Sequence, residues 1–148
     1  SFTGLDIGFE GYNAYEVLTI ASMVQVEGDP TNFEKVARVI YNRLKIGMPL
    51  QLNATVQYAS NKRGEILVTN EDTKIISPYN TYRVVGLPPT PISNPGSAAI
   101  SASLKPASGS WIYFITVAPG DTRFTSDFEE FSGWNMEFNR NVAAGVFK

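Results

Sequence analysis

Apolar residues first recur at helical spacing at Val17, Ile20, Ala21 and Val24, after an Asn13-x-x-Glu16 start that reads as an N-cap with a capping box. Gly28 and Pro30 stop this helix. Thr31 with Glu34 signals a second capping box, with Asp29 before Pro30 as the alternative cap. Phe33, Val36, Ala37, Ile40 and Leu44 form the next stripe, closed by Gly47, so residues 13–49 predict a helical hairpin or corner. An extended lead from Pro49 to Leu52 runs into Asn53, which caps a short helix through Tyr58. Asn61–Gly64 reads as a turn, Ile66–Thr69 as a short strand and Asn70–Lys74 as a helical turn.

Residues 77–96 carry Pro78, Pro88, Pro89, Pro91 and Pro95, too many for a regular helix or a central strand. The spacing predicts a long ordered loop, and such loops in small domains commonly serve function. Ser97–Leu104 reads as a short helix with Ile100 and Leu104 on one face. Trp111–Val117, β-branched and aromatic, is the strongest strand signal. Pro119-Gly120-Asp121 turns it back into Arg123–Thr125. Ser126 caps a last helix, on which Phe128, Phe131, Trp134 and Phe138 fall at three- and four-residue spacing and read as core, as does Trp111. The expected fold is α+β, mostly helical with a small antiparallel sheet. Residues 1–12 form a lead-in without periodicity, and residues 13–148 one domain.

Composition narrows the chemistry. A net charge of −2 offers no basic field for nucleic acid or an anionic membrane. No apolar run approaches the ~20 residues that span a bilayer, and no signal peptide precedes Ser1; the chain fits either a cytosolic protein or a piece of a larger exported one. With no Cys and no His, thiol nucleophiles, zinc–thiolate sites and His-containing triads are excluded. No phosphate-cradling Gly motif occurs. Any proton chemistry falls to Asp, Glu, Tyr or Lys.

One acid stands apart. At ~100° per residue from Val17, Glu27 lies at about 280°, on the edge of the apolar stripe, while Gln25 lies at about 80° on the opposite edge. Glu27 also occupies the last helical turn, where the dipole disfavours an anion. Partial burial and the dipole both raise a carboxyl pKa, as a general acid requires. The same position also fits a solvated Glu at a frayed helix end. Glu16 and Glu34 read as capping residues, and Asp72, Glu129 and Glu130 sit in polar runs. Arg43, in mid-helix, either buttresses Glu27 or faces water.

The segments Ala21–Glu27, Val39–Leu44, Gly47–Gln51, Thr55-Val56-x-Tyr58, Tyr79-Asn80-Thr81-Tyr82, Gly86–Pro89, Pro91–Gly96 and Tyr113-Phe114, in this order, resemble the endolytic murein transglycosylases of the MltG (YceG-like) family over roughly residues 13–140. The resemblance implies a lysozyme-like catalytic domain that cleaves peptidoglycan glycan strands without water, with Glu27 as the catalytic acid and no metal or nucleotide cofactor. Gln25, Gln51, Asn53, Tyr79, Asn80, Tyr82 and Asn94 are its candidate sugar contacts; turn chemistry for each Asn and core packing for each Tyr compete with that role. The chain departs from the family pattern at Gln25, where many members carry a second Glu. It departs also at Asn53, where Asp is common, and at Thr122 and Phe131, where many carry His. Full-length members have an N-terminal membrane helix and a small LysM-like subdomain, so this chain resembles the catalytic domain alone, working at the extracytoplasmic membrane face. The partners implied are glycan strands and, beside them, peptidoglycan synthases. A non-catalytic glycan-binding module and a scaffolding domain are the competing readings.

Overall fold

A computed structural model describes residues 9–60 and 69–147. Helix α1 (Ala14–Glu27) opens with the expected box: the Glu16 amide donates to Asn13 Oδ1 at 2.8 Å, and the Asn13 amide to Glu16 Oε1 at 2.9 Å. Its burial is wider than the apolar stripe predicts. Thr19, Ser22 and Met23 are buried along with Val17, Ile20, Ala21 and Val24, because α1 runs through the middle of the domain. The two buried hydroxyls donate to backbone carbonyls, Thr19 to Tyr15 and Ser22 to Thr19, which makes their burial tolerable.

The corner after α1 is built differently from the expected Thr31–Glu34 box. Asp29 Oδ1 accepts from the amide and hydroxyl of Thr31, and the Asp29 amide donates to Asn32 Oδ1 at 2.9 Å. Helix α2 (Phe33–Ile46) therefore starts at Asn32 with no side-chain cap bond. Gly28 fits the corner for lack of a side chain: a Cβ there would lie 2.7 Å from Asn32 Oδ1 and 3.1 Å from the Phe33 ring. Gly28→Ala is expected to cost about 1–3 kcal/mol by forcing α1 and α2 apart, read as a lowered urea midpoint. Gly47, in the left-handed region at φ 72°, ends α2 as expected.

Helix α3 (Asn53–Ser60) follows, then a 3₁₀ turn (Asp72–Lys74) and helix α4 (Ser97–Leu104). The predicted Asn61–Gly64 turn and most of the predicted Ile66–Thr69 strand lie outside the described residues. The buried face of α4 is Ala99, Ala102 and Ser103, not Ile100 and Leu104, which are partly exposed. Small residues on this face let α4 sit close against both α1 and α2. The Tyr41 hydroxyl, on α2, donates to the Ser103 carbonyl at 2.8 Å.

Strands β1 (Tyr113–Ala118) and β2 (Asp121–Thr125) pair antiparallel, Tyr113 opposite Thr125 and Thr116 opposite Thr122, around a tight turn at Pro119–Gly120. Trp111 and Ile112 precede the strand instead of opening it. Helix α5 (Phe128–Ala143) is capped by Asp127, whose carboxylate accepts from the Glu129 amide, not by Ser126. No residue of α5 is buried, so its aromatic stripe is not core. The core lies among α1, α2, α4 and the Leu50–Leu52 segment, with Ile92 of the proline-rich loop. That loop is tied to α1: the Ile92 amide donates to Ser22 Oγ at 3.0 Å and Ser93 Oγ to the Ser22 carbonyl at 2.9 Å. The last residues of the lead-in pack too, with the Phe9 and Tyr12 rings 5.1 and 5.8 Å from Tyr41.

Candidate functional site

Glu27 ends α1 and reaches the first turn of α3, where its Oε2 accepts the Ala54 backbone N–H at 2.8 Å. The carboxylate thus stands at the negative end of one helix and the positive end of another. Burial pushes its pKa above the ordinary glutamate value and outweighs the opposing pull of the Ala54 N–H. Among the described residues no Lys or Arg makes an ion pair with it.

Next to it, the Tyr82 hydroxyl donates to Asn53 Oδ1 at 2.6 Å. Burial first, then the nearby Glu27 charge, hold the Tyr82 pKa up at about 12, so the phenol is protonated and able to donate at neutral pH. Gln51 takes a left-handed backbone, φ 52°, rare for a residue with a Cβ. Its amide donates to the Thr81 carbonyl at 3.1 Å, and Leu52 N–H to Thr81 Oγ1 at 2.8 Å, so a buried threonine holds the unusual turn.

These groups open on a cleft of roughly 530 Å³. The helical half contributes Glu27, Arg43, Leu50–Asn53 and Tyr82; the hairpin and α5 contribute Phe114–Thr116, Phe131, Asn135 and Phe138, with Phe147 beyond the helix. Among the described residues, Glu27 and Arg43 are the charged members of the lining. Arg43 neither faces water nor pairs with Glu27. Its Nε donates to the Ile112 carbonyl at 2.6 Å and its Nη1 to Pro49 and Leu50 at 3.0 and 2.7 Å, clamping the hairpin to the Gln51 turn. Among the described residues no cluster of acids is placed to hold a metal ion.

Of the residues singled out in the sequence, the cleft gathers Glu27, Gln51, Asn53 and Tyr82. The others stand elsewhere. Asn80 is fully buried; its amide donates to the carbonyls of Thr73 and Ile75 at 3.0 and 2.7 Å, and its Oδ1 accepts the Tyr82 amide. Asn80 therefore shapes the loop that presents Tyr82. Asn80→Ala should lower stability by roughly 2–3 kcal/mol in urea melts, since two carbonyls lose their donor; unchanged stability with lost glycan affinity would return it to a contact role. The Tyr79 hydroxyl bonds Thr90 at 2.8 Å while its ring packs on Tyr58 at 4.9 Å. Gln25 Oε1 accepts the Gly96 amide at 2.8 Å, anchoring the proline-rich loop, and Asn94 is exposed outside the lining. Thr116, Phe131, Asn135, Phe138 and Phe147 were not legible as lining. For the α5 residues the one signal is a stripe of Phe128, Phe131, Trp134 and Phe138 dominated by aromatics; Thr116 and Phe147 carry none.

The model of the YceG-like family matches residues 7–136. The chain is 40% identical over 119 residues to the endolytic murein transglycosylase of Bacillus subtilis (strain 168), covering 80% of this chain and 33% of that protein. It is 39% identical over 137 residues to the protein of the same description from Streptococcus pneumoniae serotype 2, covering 88% of this chain and 24% of that one. The chain thus spans a third or less of these curated relatives. A crystal structure of a yceG-like protein from Listeria monocytogenes superposes with a TM-score of 0.75 at 34% identity, over 82% of this chain and 39% of that one. With the family match running from the lead-in through α1, the Tyr82 loop and the hairpin into α5, the chain belongs to the YceG-like family.

Proposed function

We propose that this chain is the catalytic domain of an endolytic lytic transglycosylase acting on peptidoglycan glycan strands, with Glu27 as general acid and then base. The protonated carboxyl gives its proton to the oxygen joining C1 of N-acetylmuramic acid to N-acetylglucosamine. The C1–O bond breaks and its electron pair stays with that oxygen, leaving N-acetylglucosamine with a free 4-hydroxyl. The Glu27 carboxylate then takes the proton of the muramyl C6 hydroxyl as its oxygen bonds to C1, closing a 1,6-anhydro end and restoring the acid. No water is consumed.

The observation that carries this reading is a desolvated carboxyl, held by the Ala54 N–H, as the one acid among the described residues that line the cleft. Ordinary glycoside hydrolysis uses two carboxylates flanking the bond, whereas an internal hydroxyl nucleophile needs one group to give and take a single proton. Tyr82, Asn53 and Gln51 supply the neighbouring hydroxyl and amides for sugar hydroxyl and N-acetyl groups. The substrate places the work outside the cytoplasmic membrane, beside the synthases that make the strands. No helix among the described residues is long and apolar enough to cross a membrane. Digestion of purified peptidoglycan followed by mass spectrometry tests the proposal. Products with 1,6-anhydro ends are expected; reducing ends would mean hydrolysis, and binding without cleavage a glycan-binding module.

A further inference from the structure

Although none of its residues is buried, α5 presents Phe131, Asn135 and Phe138 at i, i+4 and i+7 on one face, and all three line the cleft. That face spans ~10 Å along the helix axis and is held at both ends. Phe131 stacks on Tyr113 at 4.8 Å, and the Tyr113 ring lies 5.4 Å from the Arg43 guanidinium. At the far end, Asn141 Nδ2 donates to the Val117 carbonyl at 2.7 Å, fixing α5 to β1. Gly145, at φ 78°, then reverses the chain, and the Val146 amide bonds the Asn141 carbonyl at 3.0 Å. The reversal sets Phe147 edge-on to Phe138 at 5.3 Å, and both rings line the cleft. Both also lie beyond residues 7–136, so the family match does not carry them.

A pair of partly exposed rings with an uncommitted amide one turn away, in a cleft that also presents the Tyr82 hydroxyl and the Gln51 and Asn53 amides, suits a sugar: an apolar ring face on the aromatics, an N-acetyl or hydroxyl group on the amide. We infer that Phe138 and Phe147, with Asn135, form a glycan subsite that fixes how the strand lies relative to Glu27, and so which bond is cut. The inference rests on the function proposed above. The subsite acts by positioning and touches no reacting atom.

The test has two arms. In the first, Phe147→Ala should raise KM for peptide-free glycan strands about 2–10-fold, the range of one aromatic contact, and shift the lengths of anhydro-ended products, with kcat little changed. Phe147→Trp should retain the native pattern, while Phe147→Leu should behave as the Ala variant. Native behaviour of the Leu variant would mean apolar packing instead of sugar stacking and would overturn the inference. The second arm needs no change at the rings. In Glu27→Gln protein with ¹³C-labelled Phe, titration with peptide-free glycan strands should move the Phe138 and Phe147 ring signals. Unmoved signals overturn the subsite even if the native chain cleaves. Moved signals in a chain that releases no anhydro products would keep the subsite and discard the catalytic reading.

Discussion

Glu27→Gln is expected to lower release of 1,6-anhydro products roughly 10²–10⁴-fold, the usual share of a positioned general acid/base, while the chain stays folded. Gln keeps a carbonyl that can accept the Ala54 N–H but has no proton to give at the glycosidic oxygen. The pH profile of the native chain carries the second half of this prediction. The first step needs the protonated acid, so turnover should fall as pH rises through the folded pKa, and that fall should lie above the ordinary glutamate range. Stability moves the same way. A raised folded pKa means that the folded chain holds this proton more tightly than the unfolded chain does. The resulting stabilisation is complete below the unfolded pKa near 4.5 and is lost as pH rises through the folded value. At neutral pH the native chain therefore bears a desolvation cost that the Gln variant lacks. Glu27→Gln should melt above the native chain at pH 7, with the gap closing towards pH 4. A variant that melts lower at pH 7, or that still releases anhydro ends, would remove Glu27 from the role assigned to it.

Arg43→Ala is expected to be the most damaging single change to the fold, costing at least about 3 kcal/mol in urea denaturation. Its guanidinium is buried and donates to three carbonyls, of Ile112, Pro49 and Leu50, which no other described side chain is placed to satisfy. Hydrogen bonds to a charged group are worth about 1.5–3 kcal/mol each, and acceptors left dry add to the loss. Arg43→Lys should recover only part of it, because a compact ammonium cannot span carbonyls from two separate segments. The Ala variant should also separate the hairpin and α5 from the Gln51 turn, widening the cleft, so glycan affinity should fall further than the folded fraction does. Equal losses of affinity and folded protein would mean that Arg43 supports the fold without setting the cleft.

The amino-acid sequence by itself determined the elements whose causes are local. The Asn13–Glu16 box, the Gly47 stop and the hairpin turn at Pro119–Gly120 each follow from a few neighbouring residues, and each stands where the residue types predict. The position of Glu27 on the rim of an apolar stripe was legible for the same reason: helical spacing alone puts it there. Element ends decided among adjacent polar residues were not legible: α2 starts from Asn32, not from Thr31 or Asp29, and α5 from Asp127, not Ser126.

Tertiary structure decided what each polar side chain is free to do. Asn80 and Tyr82 belong to one four-residue motif, yet the first is spent on buried carbonyls and the second opens on the cleft. That division depends on backbone brought in from the Thr73–Ile75 turn, which no local pattern encodes. Likewise the sequence showed Glu27 only the unfavourable end of its own helix; folding added the N-terminus of α3, and with it the Ala54 N–H that holds the carboxylate in place. The aromatic stripe of α5 carries the same lesson. Spacing shows that a face is apolar, but whether that face meets the core or a cleft depends on what the rest of the chain packs against it.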